Sequence, residues 1–120
     1  MRRLGRAALV CAALASGCGE KDTELVDSGL CASAPVTTWN NFGEGFLTQE
    51  CQSCHGSERT GAERNGAPDM IFFDTEADAL AQAQVILNAA TGEDARMPPM
   101  GGVEDDDRYR LEVWLTCYAD

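Results

Sequence analysis

The run Cys51-Gln-Ser-Cys-His55 places two thiols and the chain's single histidine within about one turn of backbone. It is the one stretch able to hold a cofactor. Thiols this close constrain whatever folds around them, because they must share a metal, close a disulfide or bind a group covalently. Compartment, remaining thiols and available core decide among these.

The compartment is read from the N-terminus. Residues 1–17, MRRLGRAALVCAALASG, carry Arg2, Arg3 and Arg6 ahead of an apolar run from Ala7 to Ala15, with Ser16 and Gly17 before Cys18. This is the pattern of an export signal. Its apolar run, about nine residues, is well short of the roughly 20 that a spanning helix needs. The stretch LASGC resembles a bacterial lipobox, which makes Cys18 the expected lipidated first residue of the mature chain, although Ala15 fills the slot usually held by leucine. The Arg2-Arg3 pair belongs to an ordinary signal n-region. The expected location is the periplasmic side of a bacterial membrane, with the chain held there through a lipid on Cys18.

Loss of residues 1–17, which hold three arginines and no acid, takes the formal charge from −11 to −14. Such a chain repels nucleic acid and anionic lipid headgroups, so the expected partner is one with a basic docking surface, and not nucleic acid. Residues 18–36 are polar, rich in small residues and without apolar periodicity, and read as a flexible tether. The folded domain is expected over 37–120. At about 84 residues it is marginal for a core built of side chains alone.

Three helical segments are expected, no alternating strand pattern occurs, and the fold class is all-α. In 37–55 the positions Trp39, Phe42, Phe46 and Leu47 recur at spacings of three and four, which gathers them on one helix face leading to the first thiol. Gly43 and Gly45 weaken that helix by about 1 kcal/mol each, and a glycine tolerated there points to close approach by another backbone. The segment 75–92 opens on Thr75 as N-cap with Asp78 three residues on, and stops at Gly92. The segment 103–118 loads Glu104 to Asp107 at the positive end of its dipole and sets Leu111, Trp114, Leu115 and Tyr118 on one stripe.

With Cys11 in the signal and Cys18 lipidated, Cys31, Cys51, Cys54 and Cys117 remain. A zinc site needs four tetrahedral ligands, and His55 beside Cys54 is poorly placed to share one metal with it. A thioredoxin-like dithiol normally accompanies a βαβ pattern, which is absent. Covalent haem attachment gives each fixed position a role: two thioethers from Cys51 and Cys54, and His55 on one face of the iron. A second axial ligand must come from elsewhere. No other histidine exists, and the single lysine, Lys21, lies in the tether. Met97 and Met100 remain, in a loop whose Pro98 and Pro99 exclude helix and stiffen the backbone.

Taken together, these residues resemble a class I c-type cytochrome of the small bacterial kind, over Trp39 to Tyr118. The resemblance implies a bundle of about three to four short helices around one covalent haem c. Cys51, Cys54 and His55 match its anchor, and Met97 of the Met-Pro-Pro run matches its distal ligand, with Met100 as the alternative. Gly43 matches the small position crossed by a C-terminal aromatic residue, here Trp114. Pro68 matches the proline whose carbonyl accepts the histidine N–H. Met70, near the histidine side, reads as a packing residue. Cys31 and Cys117, left over in an oxidising compartment, are expected to pair.

The function implied is that of an electron carrier with a His/Met-ligated iron, without bond-making chemistry of its own and so not an enzyme. The alternatives are a haem-based small-ligand sensor, an accessory module of an oxidoreductase complex, and a disulfide-stabilised binding domain without haem.

Overall fold

The computed structural model describes residues 29–119. The expected signal peptide, Cys18 and most of the expected tether lie outside the described residues. Among the described residues every regular element is helical. No helix there is long and apolar enough to cross a membrane.

The elements are more numerous and shorter than expected. The first expected helix begins as a π-helical turn, Trp39–Gly43, continues as α2, Glu44–Glu50, and ends as α3, Gln52–His55. Thr38 starts it: its hydroxyl accepts from the Asn41 amide and its own amide donates to Asn41 Oδ1, a reciprocal cap. Thr38 O then accepts from the amides of both Phe42 and Gly43, which widens the turn. Cys51, at φ −121° and ψ −40°, breaks the run between α2 and α3.

The second expected helix is two: α4, Glu76–Ala81, and α5, Ala83–Ala90, with the break at Gln82. Thr75 caps α4 as expected, accepting from the Asp78 amide at 3.2 Å while Asp78 Oδ2 accepts from the Thr75 amide at 3.0 Å. The third, α6, runs Asp105–Cys117 with Asp105, Asp106 and Asp107 in its first turn, where the dipole favours negative charge.

Gly29–Ser33, expected in the tether, forms a short helix, α1, and Cys31 within it is disulfide-bonded to Cys117 at the end of α6. This pairing was expected, but its consequence for the tether was not. Val113, one turn before Cys117, is fully buried yet lies outside the main core cluster. The helix α1 packs on α6, where Val113 and Cys117, four residues apart, share a face.

The main core joins Phe42, Phe46 and Leu47 to Phe73, Ile86, Leu111, Trp114 and Leu115. Burying each of the large side chains contributes about 1.5–3 kcal/mol. Trp114 lies flat over Gly43: a Cβ at Gly43 would stand 2.9 Å from Trp114 Cη2, inside van der Waals contact. The expected close approach at Gly43 is therefore made by an indole ring. Trp39 packs on the same indole at 5.9 Å between centroids. Trp114 Nε1 is buried without an acceptor, a cost of about 1–3 kcal/mol that the ring's packing must exceed.

Candidate functional site

The thiol pair and the histidine sit on α2–α3, and the chain after them is stitched back onto α3. The Phe73 amide donates to His55 O at 3.0 Å, and Gln52 Nε2 donates to Phe73 O at 2.8 Å. The Ser57 amide donates to the Asp74 carboxylate at 2.9 and 3.1 Å. His55 therefore lies against residues 71–73, with its ring 4.8 Å from that of Phe73. Its Nδ1 stands 3.2 Å from Ile71 O, the arrangement of a ring N–H donating to a carbonyl. That tautomer leaves Nε2 as a lone-pair donor.

The carbonyl expected for this role belonged to Pro68, and the structure gives it to Ile71. The Pro68 carbonyl is already taken, by the Ile71 amide at 3.1 Å and by Arg64 Nη2. Both of its lone pairs are used.

Arg64 explains the arrangement and was not singled out in the sequence. It ends a short 3₁₀ turn, Gly61–Arg64, and is only 3 % exposed. Asn65 and Gly66, both left-handed at φ 48° and 83°, reverse the chain directly after it. Its Nε donates to Ala67 O, Nη1 to Gly56 O and Arg59 O, and Nη2 to Pro68 O and Ile71 O. All five of its N–H donors are thereby used on backbone carbonyls. Its nearest acid, Asp69, is 3.7 Å away and 92 % exposed. Such an ion pair contributes little. Arg64 shares Ile71 O with His55, so the guanidinium fixes the carbonyl that orients the imidazole.

The methionine loop is held from the other side of the chain. Ala89 O, near the end of α5, accepts from the Arg96 amide at 2.8 Å and the Met97 amide at 2.9 Å. Met97 packs against the core cluster, while Met100 is 91 % exposed. Met70, expected to pack, is 79 % exposed and contributes nothing to the core.

These segments enclose one cavity of about 390 Å³. Cys51, Cys54, His55, Pro68 and Met97 all line it, with Met100 at its exposed margin and Phe46, Ile71, Phe73, Ile86 and Ala90 among its walls. Its volume falls in the range of about 300–1,000 Å³ usual for cofactor clefts. Burial, assisted by Glu50 and Cys54, pushes the Cys51 thiol up to about 12. Among the described residues, no group of three or more His, Cys, Asp or Glu side chains converges on one point. The donors that do share the cavity are two sulfurs, one oriented imidazole and one thioether, set among apolar walls. They fit a covalently attached haem, with Cys51 and Cys54 to hold its edge and His55 and Met97 to meet the iron.

Compared with protein-family models, curated proteins and solved structures, the chain matches none.

Proposed function

We propose that the protein is a mono-haem c-type cytochrome with a cytochrome c-like helical fold, carrying single electrons between redox partners outside the cytoplasm. The observation that carries this reading is that Cys51, Cys54, His55 and Met97, singled out by sequence motifs some 40 residues apart, line the same apolar cavity. Haem c bound there supplies a one-electron iron couple.

The chain's own residues supply the rest. Cys51 and Cys54 would hold the haem through thioether links, for which a neutral, buried sulfur is a suitable end state. His55 presents Nε2 while Ile71 O holds Nδ1–H, which fixes the ring plane and raises its basicity. Arg64, bonded to the same carbonyl, competes for its electron density and places a buried positive charge beside the cavity. A cation there disfavours the more oxidised iron. Together with a thioether ligand it raises the reduction potential. Phe46, Phe73 and Ile86 keep water from the cavity and limit the reorganisation that electron transfer requires. Met97 would hold the iron from the side away from His55, and the role would be transfer without bond chemistry.

Export and lipidation at Cys18 belong to the same reading. Attachment of haem c takes place outside the cytoplasm, where the Cys31–Cys117 disulfide also persists. The test is an absorption spectrum of the protein produced with a haem-attachment pathway. Sharp reduced c-type bands, with no carbon monoxide adduct in the reduced state, support the carrier. Carbon monoxide binding at rest favours the small-ligand sensor.

A further inference from the structure

A half-buried arginine joins the methionine loop to the rest of the fold. Arg108, in the first turns of α6, directs Nη1 at two carbonyl oxygens, Ala90 O and Met97 O, each at 2.8 Å. Ala90 is the last residue of α5, where helix carbonyls lack intrahelical partners. The Met97 carbonyl has no helix to bond it. One charged donor therefore satisfies both, and charge-assisted bonds of this kind are stronger than neutral ones.

We propose that Arg108 is the latch that selects Met97 as the axial ligand, a positioning residue acting through the loop backbone. This rests on the haem reading above. Up to Met97 the loop is fixed by three contacts: the Arg96 and Met97 amides on Ala89 O, and Arg108 on the Met97 carbonyl. Beyond Met97 the backbone bond it makes is local, Gly101 N to Pro98 O, and Met100 stands almost fully in solvent. The latch is anchored on α6, whose Leu111 and Trp114 are fully buried, so the loop is referenced to a helix seated in the core. Without it, the loop keeps the Arg96 and Met97 contacts on the α5 side and loses the one that closes it against α6. An external ligand then competes for the iron.

The test compares Arg108→Met, which keeps the apolar stem and removes the donors, with Arg108→Lys, which keeps a charged donor. In haem-loaded Arg108→Met the near-infrared band of ferric thioether ligation is lost or weakened severalfold at neutral pH, and the reduced protein binds carbon monoxide. Arg108→Lys retains most of the parental band and excludes carbon monoxide, a rescue that a packing role would not produce. Amide exchange at Met97 accelerates in the Met variant and stays near parental in the Lys variant. Should Arg108→Met fail to fold, Arg108→Gln, with a neutral donor for one carbonyl, takes its place and shows intermediate losses. A haem-bearing donor-removed variant with the parental band and no carbon monoxide adduct overturns the latch alone. A parent protein without covalent haem overturns the functional reading and the latch with it.

Discussion

Replacing Arg64 by methionine would strip donors from five backbone carbonyls at once; Gly56 O, Pro68 O and Ile71 O keep a second partner, while Arg59 O and Ala67 O lose the one they have. Each buried acceptor left unpaired costs about 1–3 kcal/mol, reduced where water reaches it. We expect Arg64→Met to lose at least about 2 kcal/mol in denaturant unfolding, and Arg64→Lys to lose less. In the haem-loaded protein, removing this cation should move the potential to more negative values by redox titration. A variant as stable as the parent would contradict the role given to Arg64. Asp69 needs no such protection, and Asp69→Asn is expected to be near neutral.

Cys51 gives a pH dependence in the chain before haem attachment. Its thiol is raised from an ordinary 9.0 to about 12, first by burial, then by Glu50 and Cys54. The folded state thus binds the proton more tightly than the unfolded state. Its contribution is complete below pH 9 and is lost as pH rises towards 12. Haem-free protein should lose stability across that interval, and Cys51→Ala should lose less of it there. Equal alkaline loss in both would refute the assignment. For the methionines, Met97→Leu should abolish thioether ligation while Met100→Leu leaves the spectrum unchanged, because Met100 is almost wholly in solvent.

At the scale of elements, Gly43 and the disulfide are the sensitive joints. Gly43→Ala forces a methyl against three atoms of the buried Trp114 ring at 2.9–3.0 Å. Overpacking of this kind typically costs about 1–3 kcal/mol, seen as a lowered Tm. The Cys31–Cys117 bond closes a separation of 86 residues, worth about 4 kcal/mol in the chain-entropy view. A Cys31→Ser, Cys117→Ser pair should lose that much and release α1 from α6, detected as faster amide exchange in α6.

Which elements the sequence discloses follows from how local their causes are. Thr75 with Asp78, the spacing of Phe42, Phe46 and Leu47, and the acids opening α6 are local signals, and each element they announce is present. The breaks at Cys51 and Gln82 have no glycine or proline to announce them. The helix α1 was hidden because it is too short to persist alone and is held by a covalent bond to a residue far along the chain. Cys51, Cys54, His55 and Met97 were legible because their chemistry restricts residue type. Arg64, Arg108 and Ile71 were not: two look like surface cations, and the third acts through a backbone carbonyl available to any residue. Pro68 lines the cavity as expected of a site residue, while the carbonyl beside His55 Nδ1 is that of Ile71.

For the whole molecule, charge and cofactor dominate. A formal charge of −11 over 120 residues attracts cationic partners at long range and is screened over about 8–10 Å at physiological salt. Electron transfer to a basic partner should therefore slow steeply as ionic strength rises, while transfer to a small neutral oxidant should not. Similar salt responses for the two would remove charge steering from the account. The size of the domain ties its stability to the group it is proposed to hold, since roughly 70–80 residues rarely supply more than about 3–5 kcal/mol from a side-chain core.

The central claim is that a porphyrin is joined through sulfur to Cys51 and Cys54. Its most direct test is the mass of the chain, expressed with a haem-attachment pathway, after denaturation and acid-acetone extraction. The account predicts a coloured polypeptide heavier by one haem, with the added mass confined to the peptide carrying Cys51 and Cys54. A colourless chain of unmodified mass would contradict it.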